Sequence, residues 1–136
     1  MIKPIVKDML VLQQKAQPAS KEDVEIGQDL FDTLRANKDK CVGMAANMIG
    51  VQKQVIIFMY GMVPVIMFIP ILRRKSSPYQ AEEFCLSLVG SRSTTRYKEI
   101  TVEYLDQHWQ KQTLTLKDFL AQICQHELDH LEGILI

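Results

Sequence analysis

The sequence contains few cysteines and no excess of charge of either sign. Only three cysteines occur in 136 residues, and 16 basic residues are balanced by 16 acidic ones. A chain without net charge has no long-range field that would attract nucleic acid or an anionic membrane, so neither is expected as a direct partner. Three cysteines are too few for the disulfide scaffold of a small secreted protein. A low cysteine content is typical of proteins in a reducing compartment. We therefore expect a cytoplasmic protein.

Segments that would direct the chain out of the cell or into a membrane are also scarce. Residues 1–10 are interrupted by Lys3, Pro4 and Lys7, so they lack the continuous apolar core of a secretory signal. The segment 55–72 carries no charge and reaches the lower length limit of a membrane-spanning helix. Because it is rich in Val and Ile and contains a glycine and two prolines, two buried strands joined by a turn at Tyr60–Gly61 are favoured instead.

The length and the 47% hydrophobic content suit one compact domain spanning residues 1–136. Ser20 and Asp23 form a capping-box pattern ahead of apolar residues at near-helical spacing, which predicts a helix over about 21–36. Alternating or apolar runs predict a β-rich middle, and a second helix is predicted over about 117–131. The strands are expected near 51–60, 62–69, 71–75, 83–89 and 99–106, with a turn at 107–111 leading into 112–116.

The last predicted helix carries a His-Glu-x-x-His motif. His126 and His130 are four residues apart, so they lie on one helix face and both can direct a ring nitrogen at one divalent metal ion. Glu127 is displaced around the helix, which suits a general base beside the ion better than a ligand. The alternative is a polar helix face that carries two histidines by chance.

A catalytic metal site typically has three protein ligands, so a third donor is required. Cys124 projects about 200° away from His126 around the helix, and His108 lies in a polar turn. Cys85 falls on the polar face of an alternating strand, which favours it over Cys41 without excluding Cys41. The candidates are His108, Cys41, Cys85, Cys124 or an acidic residue.

Three segments occur in an order that resembles the peptide deformylase family. They are CVGMAANM at 41–48, EFCLS at 83–87 and QHELDH at 125–130. The resemblance implies an α+β fold in which antiparallel β-sheets pack around a C-terminal helix that bears the His-Glu-x-x-His motif. It also implies an enzyme, a metal-dependent hydrolase that removes the formyl group from N-formylmethionine at the N-terminus of newly made polypeptides. The expected partner is an N-formylmethionyl peptide, including nascent chains at the ribosome, and no oligomeric state is implied.

The resemblance also assigns roles to individual residues. It implies that Cys85, His126 and His130 hold one divalent metal ion, with Fe2+ favoured and Zn2+, Ni2+ or Co2+ as substitutes. Glu127 is then the catalytic acid and base, and the backbone N–H of Leu86 donates a hydrogen bond to the oxyanion of the transition state.

A further group of residues is assigned by resemblance to substrate binding and its support. Val42 and Gly43 are expected along the substrate backbone, and Arg92 is expected near the peptide. Glu83 and Arg96 match a supporting ion pair, for which a surface salt bridge is the alternative. The full group is Val42, Gly43, Met48, Glu83, Arg92 and Arg96.

Several positions depart from the family pattern. Met48 stands where the common form has a glutamine that hydrogen-bonds the formyl oxygen, and losing one oxyanion donor costs about 3–4 kcal/mol. Phe84 and Cys41 each replace a glycine. Two hypotheses follow: a divergent, active deformylase, and a metal-binding relative that is catalytically weakened or inactive. A metalloprotease is disfavoured because the third histidine of its long motif would fall on Ile136.

Overall fold

A five-stranded antiparallel sheet organises the chain, which the computed structural model describes over residues 1–136. The strands follow one another in the sheet in sequence order, so each is joined to its neighbour by a short connection or a hairpin. Three α-helices and two short 3-10 turns complete the fold. The strands are β1 (Gly43–Ala45), β2 (Val55–Tyr60), β3 (Val63–Phe84), β4 (Ser91–Leu105) and β5 (Lys111–Lys117), and the helices are α1 (Met9–Leu12), α2 (Val24–Ala36) and α3 (Asp118–Leu131).

Strand β2 is covered by a helix on each face, which explains its uninterrupted apolar sequence. Ile56 and Phe58 pack with residues of α3, whereas Val55 and Ile57 pack with Leu30 and other residues of α2. The uncharged segment 55–72 therefore forms β2 and the first part of β3, joined by a turn at Gly61, as predicted. No helix in the structure is both long and apolar enough to cross a bilayer.

The prediction of three short strands between residues 62 and 89 was wrong. Residues 63–84 form one strand, β3, whose register shifts relative to β4 between Phe68 and Ile71 and between Leu72 and Arg74. Pro70 lies within the first of these irregularities. Because the chain there is out of register with β4, the missing N–H of proline removes no regular hydrogen bond between the two strands. Beyond Phe68, β3 pairs with β4 alone, so its free edge also tolerates Pro78. Strand β4 begins at Ser91, earlier than the predicted 99.

The predicted strand 83–89 is a strand end followed by a turn. Strand β3 ends at Phe84, and the chain turns so that the N–H of Leu88 donates to the carbonyl of Cys85 at 3.1 Å. At this strand end the buried side is polar: Glu83 is 6% and Ser87 4% exposed, whereas Phe84 is 75% exposed. The predicted alternation does not continue through the turn, where Cys85, Leu86 and Leu88 are all half-buried.

The other predicted elements are confirmed with small shifts of their boundaries. Helix α2 follows a 3-10 turn at Lys21–Asp23, and the N–H of Ser20 donates to Asp23 at 2.7 Å as the capping pattern requires. Strand β5 covers the predicted 112–116, and α3 begins one residue after the predicted 117. The short helix α1 has no counterpart among the predicted elements.

The N-terminal segment crosses the end of α3 in close contact. The N–H of Ala16 donates to the carbonyl of Leu131 at 2.8 Å. Gly133 has a φ of 75°, and a Cβ at this position would overlap the carbonyl oxygen of Gln13. A glycine is therefore required here both for its backbone conformation and for the space it leaves.

We expect Gly133→Ala to destabilise the protein more than Gly61→Ala. Both glycines have positive φ, which costs alanine about 1–2 kcal/mol, but Gly61 has no atom near its hypothetical Cβ. The overlap at Gly133 should cost a further 1–3 kcal/mol or so. Denaturant unfolding of both variants measures the difference, and equal losses would show that the N-terminal segment is not packed as described.

Candidate metal centre and active site

Helix α3 brings two histidine side chains to the same point. His126 and His130 lie one turn apart, and their Nε2 atoms are 3.1 Å from each other. The helix is held against β4 by Gln125, whose amide accepts from the N–H of Tyr97 at 2.9 Å and donates to its carbonyl at 2.7 Å. Gln125, the residue directly before His126, thus fixes the position of α3 relative to the sheet.

Cys85 meets the two histidines from the end of β3. Its Sγ lies 3.4 Å from Nε2 of His130, and all three donor atoms lie within 4.8 Å of one another. The predicted convergence of Cys85, His126 and His130 is therefore confirmed. Around a tetrahedral ion, bonds of about 2.0–2.1 Å to nitrogen and 2.3 Å to sulfur separate neighbouring donors by about 3.3–3.6 Å. The separations of 3.1 Å between the two histidine nitrogens and 3.4 Å between Cys85 and His130 are close to these values.

A buried carboxylate, Glu83, orients one of these histidines. Arg96 donates to its two oxygens at 2.7 and 2.9 Å, Nδ1 of His126 lies 2.7 Å from Oε1, and Gln122 donates to Oε2 at 3.0 Å. Burial raises the pKa of Glu83, but the hydrogen bonds from His126 and Arg96 outweigh this effect and hold the pKa at about 2. Glu83 is therefore a carboxylate that accepts a hydrogen bond from Nδ1–H of His126, which leaves Nε2 directed at the point shared with His130 and Cys85.

The two imidazoles differ in their electrostatic environment. Burial and the neighbouring His126 lower the pKa of His130 to about 3, so this ring is neutral at cellular pH. Burial also lowers the pKa of His126, but the hydrogen bonds with Cys85 and Glu83 outweigh it and raise the pKa to about 10. Because the hydrogen bond to Glu83 keeps a proton on Nδ1 of His126, a metal ion would displace only the proton at Nε2 of this ring.

The other candidates for the third donor are placed less favourably. Cys41 borders the same cavity, but burial raises the pKa of its thiol to about 11, so it stays protonated. Cys124 lies fully buried in the hydrophobic cluster on the opposite side of α3. His108 is exposed in the turn between β4 and β5. The geometry therefore favours Cys85 over each alternative.

Glu127 lies in the wall of the cavity beside the histidines. Its side chain is buried, and burial raises its pKa to about 7. Its Oε1 has no hydrogen-bond partner within the protein. A Cβ at Gly43 would lie 3.0 Å from Oε2 of Glu127 and 2.8 Å from the side chain of Ile123. The small residue in the first segment is thus what allows strand β1 to approach this carboxyl group.

A cavity of about 650 Å3 adjoins these groups. Met48 is 2% exposed and forms part of its wall, while the largely exposed ring of Phe84 lies at its rim. Of the predicted substrate-binding residues, Arg92 and Arg96 do not border it. The cavity is lined by Lys40, Cys41, Val42, Gly43, Met48, Glu82, Glu83, Phe84, Cys85, Leu86, Phe119, Gln122, Ile123, His126 and Glu127.

The two arginines assigned from the sequence lie behind or beside the site. Arg96 and Glu83 have side chains that are only 4% and 5% exposed, so the alternative of a surface salt bridge is wrong. Arg96 also donates to Asp129 at 2.7 Å, which joins the pair to α3. Arg92 donates to the carbonyl of Val89 at 3.3 Å in the turn after β3, and its role near the peptide stays a prediction.

Comparison with known proteins identifies the family. A family model described as polypeptide deformylase matches residues 2–136. The chain belongs to the polypeptide deformylase family. It is 53% identical to a peptide deformylase of Clostridium beijerinckii, with both chains covered in full. It is 37% identical to a peptide deformylase of Nitrosococcus oceani, covering 91% of this chain and 77% of that one.

Solved deformylase structures share the fold. A class I type b peptide deformylase from Acinetobacter baumannii, solved with Met-Ala-Ser, superimposes with a TM-score of 0.89 at 27% identity and covers 99% of this chain and 97% of that one. The deformylase of Thermotoga maritima gives a TM-score of 0.89 at 26% identity, with 99% and 95% covered. The predicted deformylase-like α+β fold is confirmed, and the chain is a hydrolase of a metalloenzyme family.

Two residues of this deformylase site were missed by the sequence analysis. Gln122 lies one turn before His126 on α3 and reaches the same carboxylate. Tyr79 on β3 donates from its hydroxyl to Oε1 of Gln122 at 3.1 Å. The four-residue spacing of Gln122 and His126 was a signal that they share a face, but nothing in the sequence showed that Glu83 lies opposite both.

We expect Cys85→Ser to lose most of its bound metal and Cys41→Ser to retain it. Both cysteines border the cavity, but only the sulfur of Cys85 meets the histidine nitrogens, and serine is a poor substitute for a thiolate ligand. Metal content after anaerobic loading and dialysis measures the effect. Loss of metal from Cys41→Ser with retention in Cys85→Ser would reverse the assignment of the third ligand.

Proposed function

We propose that this protein removes the formyl group from N-formylmethionine at the N-terminus of newly made polypeptides. The observation that carries the proposal is the convergence of Cys85 Sγ with Nε2 of His126 and His130 next to a cavity bordered by Glu127. The names of the relatives support the reaction, because each relative described above is a peptide deformylase. In this assignment the three donors hold one divalent metal ion, and Glu127 is the acid and base.

We assign Fe2+ as the favoured metal, with Zn2+, Ni2+ or Co2+ as functional substitutes. One thiolate and two imidazoles are nitrogen and sulfur donors that suit all four ions. The donor set leaves a coordination position for water or substrate, as catalytic sites require. When bound, the ion supplies Lewis-acid catalysis and lowers the pKa of water toward neutrality.

Glu127 moves the protons in the proposed reaction. Its Oε1 has no partner within the protein, so it is available to accept a proton from the attacking water. The water oxygen bonds to the formyl carbon, and the bond from that carbon to nitrogen then breaks. Glu127 passes its proton to the leaving nitrogen, which releases the free amine and formic acid, and the formic acid then ionises to formate.

Leu86 supplies an oxyanion donor through its backbone. Its N–H makes no hydrogen bond within the protein, and the residue borders the cavity. It directly follows Cys85 in the turn after β3, so the donor lies close to the reacting centre. A free backbone N–H that is already in place stabilises developing negative charge without reorganisation.

The first segment positions the peptide in this proposal. Strand β1 is at the edge of the sheet and pairs with β2 only, so its outer edge at Gly43 is available to an extended substrate. The carbonyl of Val42 already accepts from the N–H of Met59 at 3.0 Å, so Val42 is assigned to the peptide through its exposed side chain at the cavity. Met48 provides an apolar, adaptable wall for the methionine side chain of the substrate. Arg92 is assigned near the rest of the peptide, whereas Glu83 and Arg96 support the peptide site indirectly by holding His126.

The setting of the reaction follows from its substrate. Formylated N-termini arise on nascent chains, so we place the protein in the cytoplasm, with nascent chains at the ribosome as the source of its substrate. We also assign residues 1–136 to one domain, because both hydrophobic clusters share strand β2 and the site draws on residues from Cys41 to His130.

The catalytically inactive alternative has little support. It was suggested by Met48 and Phe84, but Phe84 points away from the buried face and Cys85 still meets His130. Glu127 and the three donor residues are all in place. Met48 remains the one departure that removes a hydrogen-bond donor from the cavity wall.

We expect the anaerobically iron-loaded protein to release formate from formyl-Met-Ala-Ser. Glu127→Gln should bind metal normally but lower kcat/KM by about 100- to 10,000-fold, because the general acid and base is lost. Formate release and metal content are measured on the same samples. No formate release by the fully loaded wild-type protein would contradict the proposed function.

We expect Met48→Gln to raise kcat/KM on the same peptide by about tenfold or more, since it adds an oxyanion donor to the cavity wall. Met59→Gln is the matched control, because Met59 is partly buried but does not border the cavity. Activity that appears only in Met48→Gln would establish the inactive alternative. A fall in the activity of Met48→Gln at unchanged stability would show that the site requires the apolar methionine side chain and not an added hydrogen-bond donor.

A further inference from the structure

Glu83, the carboxylate that orients His126, is itself held by two residues that have no role in the proposed reaction. Gln122 donates from Nε2 to Oε2 of Glu83 at 3.0 Å, and it accepts from the hydroxyl of Tyr79 at 3.1 Å. These contacts form a continuous hydrogen-bonded path from Tyr79 on β3, through Gln122, to Glu83 and then to His126. The path ends at a proposed metal ligand.

We propose that Gln122, braced by Tyr79, is a positioning residue that holds Glu83, and through it His126, in the geometry for metal binding. This inference rests on the proposed assignment of His126 as a metal ligand. It concerns retention of the metal rather than the chemical step, so it is tested separately from the reaction.

The orientation of the Gln122 amide is determined by its two partners. An ionised carboxylate only accepts hydrogen bonds, so Glu83 selects the Nε2 end of the amide. The hydroxyl of Tyr79 then donates to the remaining Oε1. Gln122 is therefore restrained at both ends, which lowers the freedom of the carboxylate that it contacts.

The two oxygens of Glu83 are held by different groups. Oε1 interacts with His126 and Arg96, whereas Oε2 interacts with Gln122 and Arg96. Without Gln122, Oε2 would keep only the Arg96 contact, and the carboxylate would be freer to rotate away from His126. Gln122 and His126 are one turn apart on α3. The same helix therefore supplies both the proposed metal ligand, His126, and the amide that holds Glu83 in place.

Gln122 also borders the proposed substrate cavity. Because both polar ends of its side chain are engaged, its methylene groups are what remains to line the wall. The amide and the stem are thus separable: the amide holds Glu83, and the stem lines the cavity. Methionine at this position preserves a stem of similar length and removes both hydrogen bonds.

Release of Co2+ to a chelator from the cobalt-loaded protein, followed by absorbance without substrate, tests the inference. We expect Gln122→Met to release cobalt several-fold faster than wild type, and less than the 10–100-fold change typical of losing a direct partner of a ligand. Gln122→Ala, which loses the stem as well as the amide, should also release cobalt faster than wild type and should raise the KM for formyl-Met-Ala-Ser.

Tyr79→Phe removes only a hydroxyl and should speed release by a smaller factor. In the Gln122→Met background the same substitution should add nothing, because the two residues act through one path. Should Gln122→Met fail to fold, faster cobalt release from Tyr79→Phe alone carries the test. Gln80→Met is the matched control: Gln80 donates to Thr95 at 2.8 Å and has no link to Glu83.

Cobalt release at the wild-type rate from both Gln122→Met and Tyr79→Phe would overturn the inference. Additive effects in the double variant would also overturn it, because independent losses of packing add whereas a shared path does not. Failure of the wild-type protein to release formate would instead refute the deformylase proposal alone. The two failures are thus distinguishable on the same set of proteins.

Discussion

The site depends on one buried negative charge. Glu83 lies at the end of β3 and is held by Arg96 from β4 and by His126 and Gln122 from α3. Removing a carboxylate from water is costly, and its partners offset that cost only when they are all in place. The packing of the helix on the sheet and the orientation of the candidate metal ligand are therefore set by the same contacts.

Around this charge, different kinds of structure supply different parts of the site. Helix α3 supplies two imidazoles at a spacing that its own geometry fixes, and the turn after β3 supplies the sulfur of Cys85 and the free N–H of Leu86. Strand β1 contributes a residue without a side chain, because Gly43 lets the backbone approach Glu127. Helix α3 thus holds the two imidazole donors, and the irregular segment after β3 provides both the sulfur donor and the backbone N–H that remains unpaired.

The departures from the family pattern have unequal consequences in the structure. Phe84 is largely exposed at the rim of the cavity, and the bulk added before Cys85 does not keep its sulfur from meeting His130. The thiol of Cys41 borders the cavity but stays protonated because of its burial. Met48 is different, because it is a buried part of the cavity wall where a hydrogen-bond donor would otherwise stand. In the proposed mechanism, stabilisation of the oxyanion therefore falls more heavily on the backbone N–H of Leu86 and on the metal.

The sequence by itself determined the features that depend on short-range spacing: the paired histidines on one helix face, the capped start of α2, and the two buried strands within 55–72. The family resemblance then identified Cys85, which spacing alone left open against Cys41. Only the tertiary structure decided that β3 continues past two prolines, that Glu83 and Arg96 are buried, and that Tyr79 and Gln122 join them. His126 and Glu83 are 43 residues apart in sequence, and burial of a charged pair depends on which distant elements pack over it, which no local pattern records.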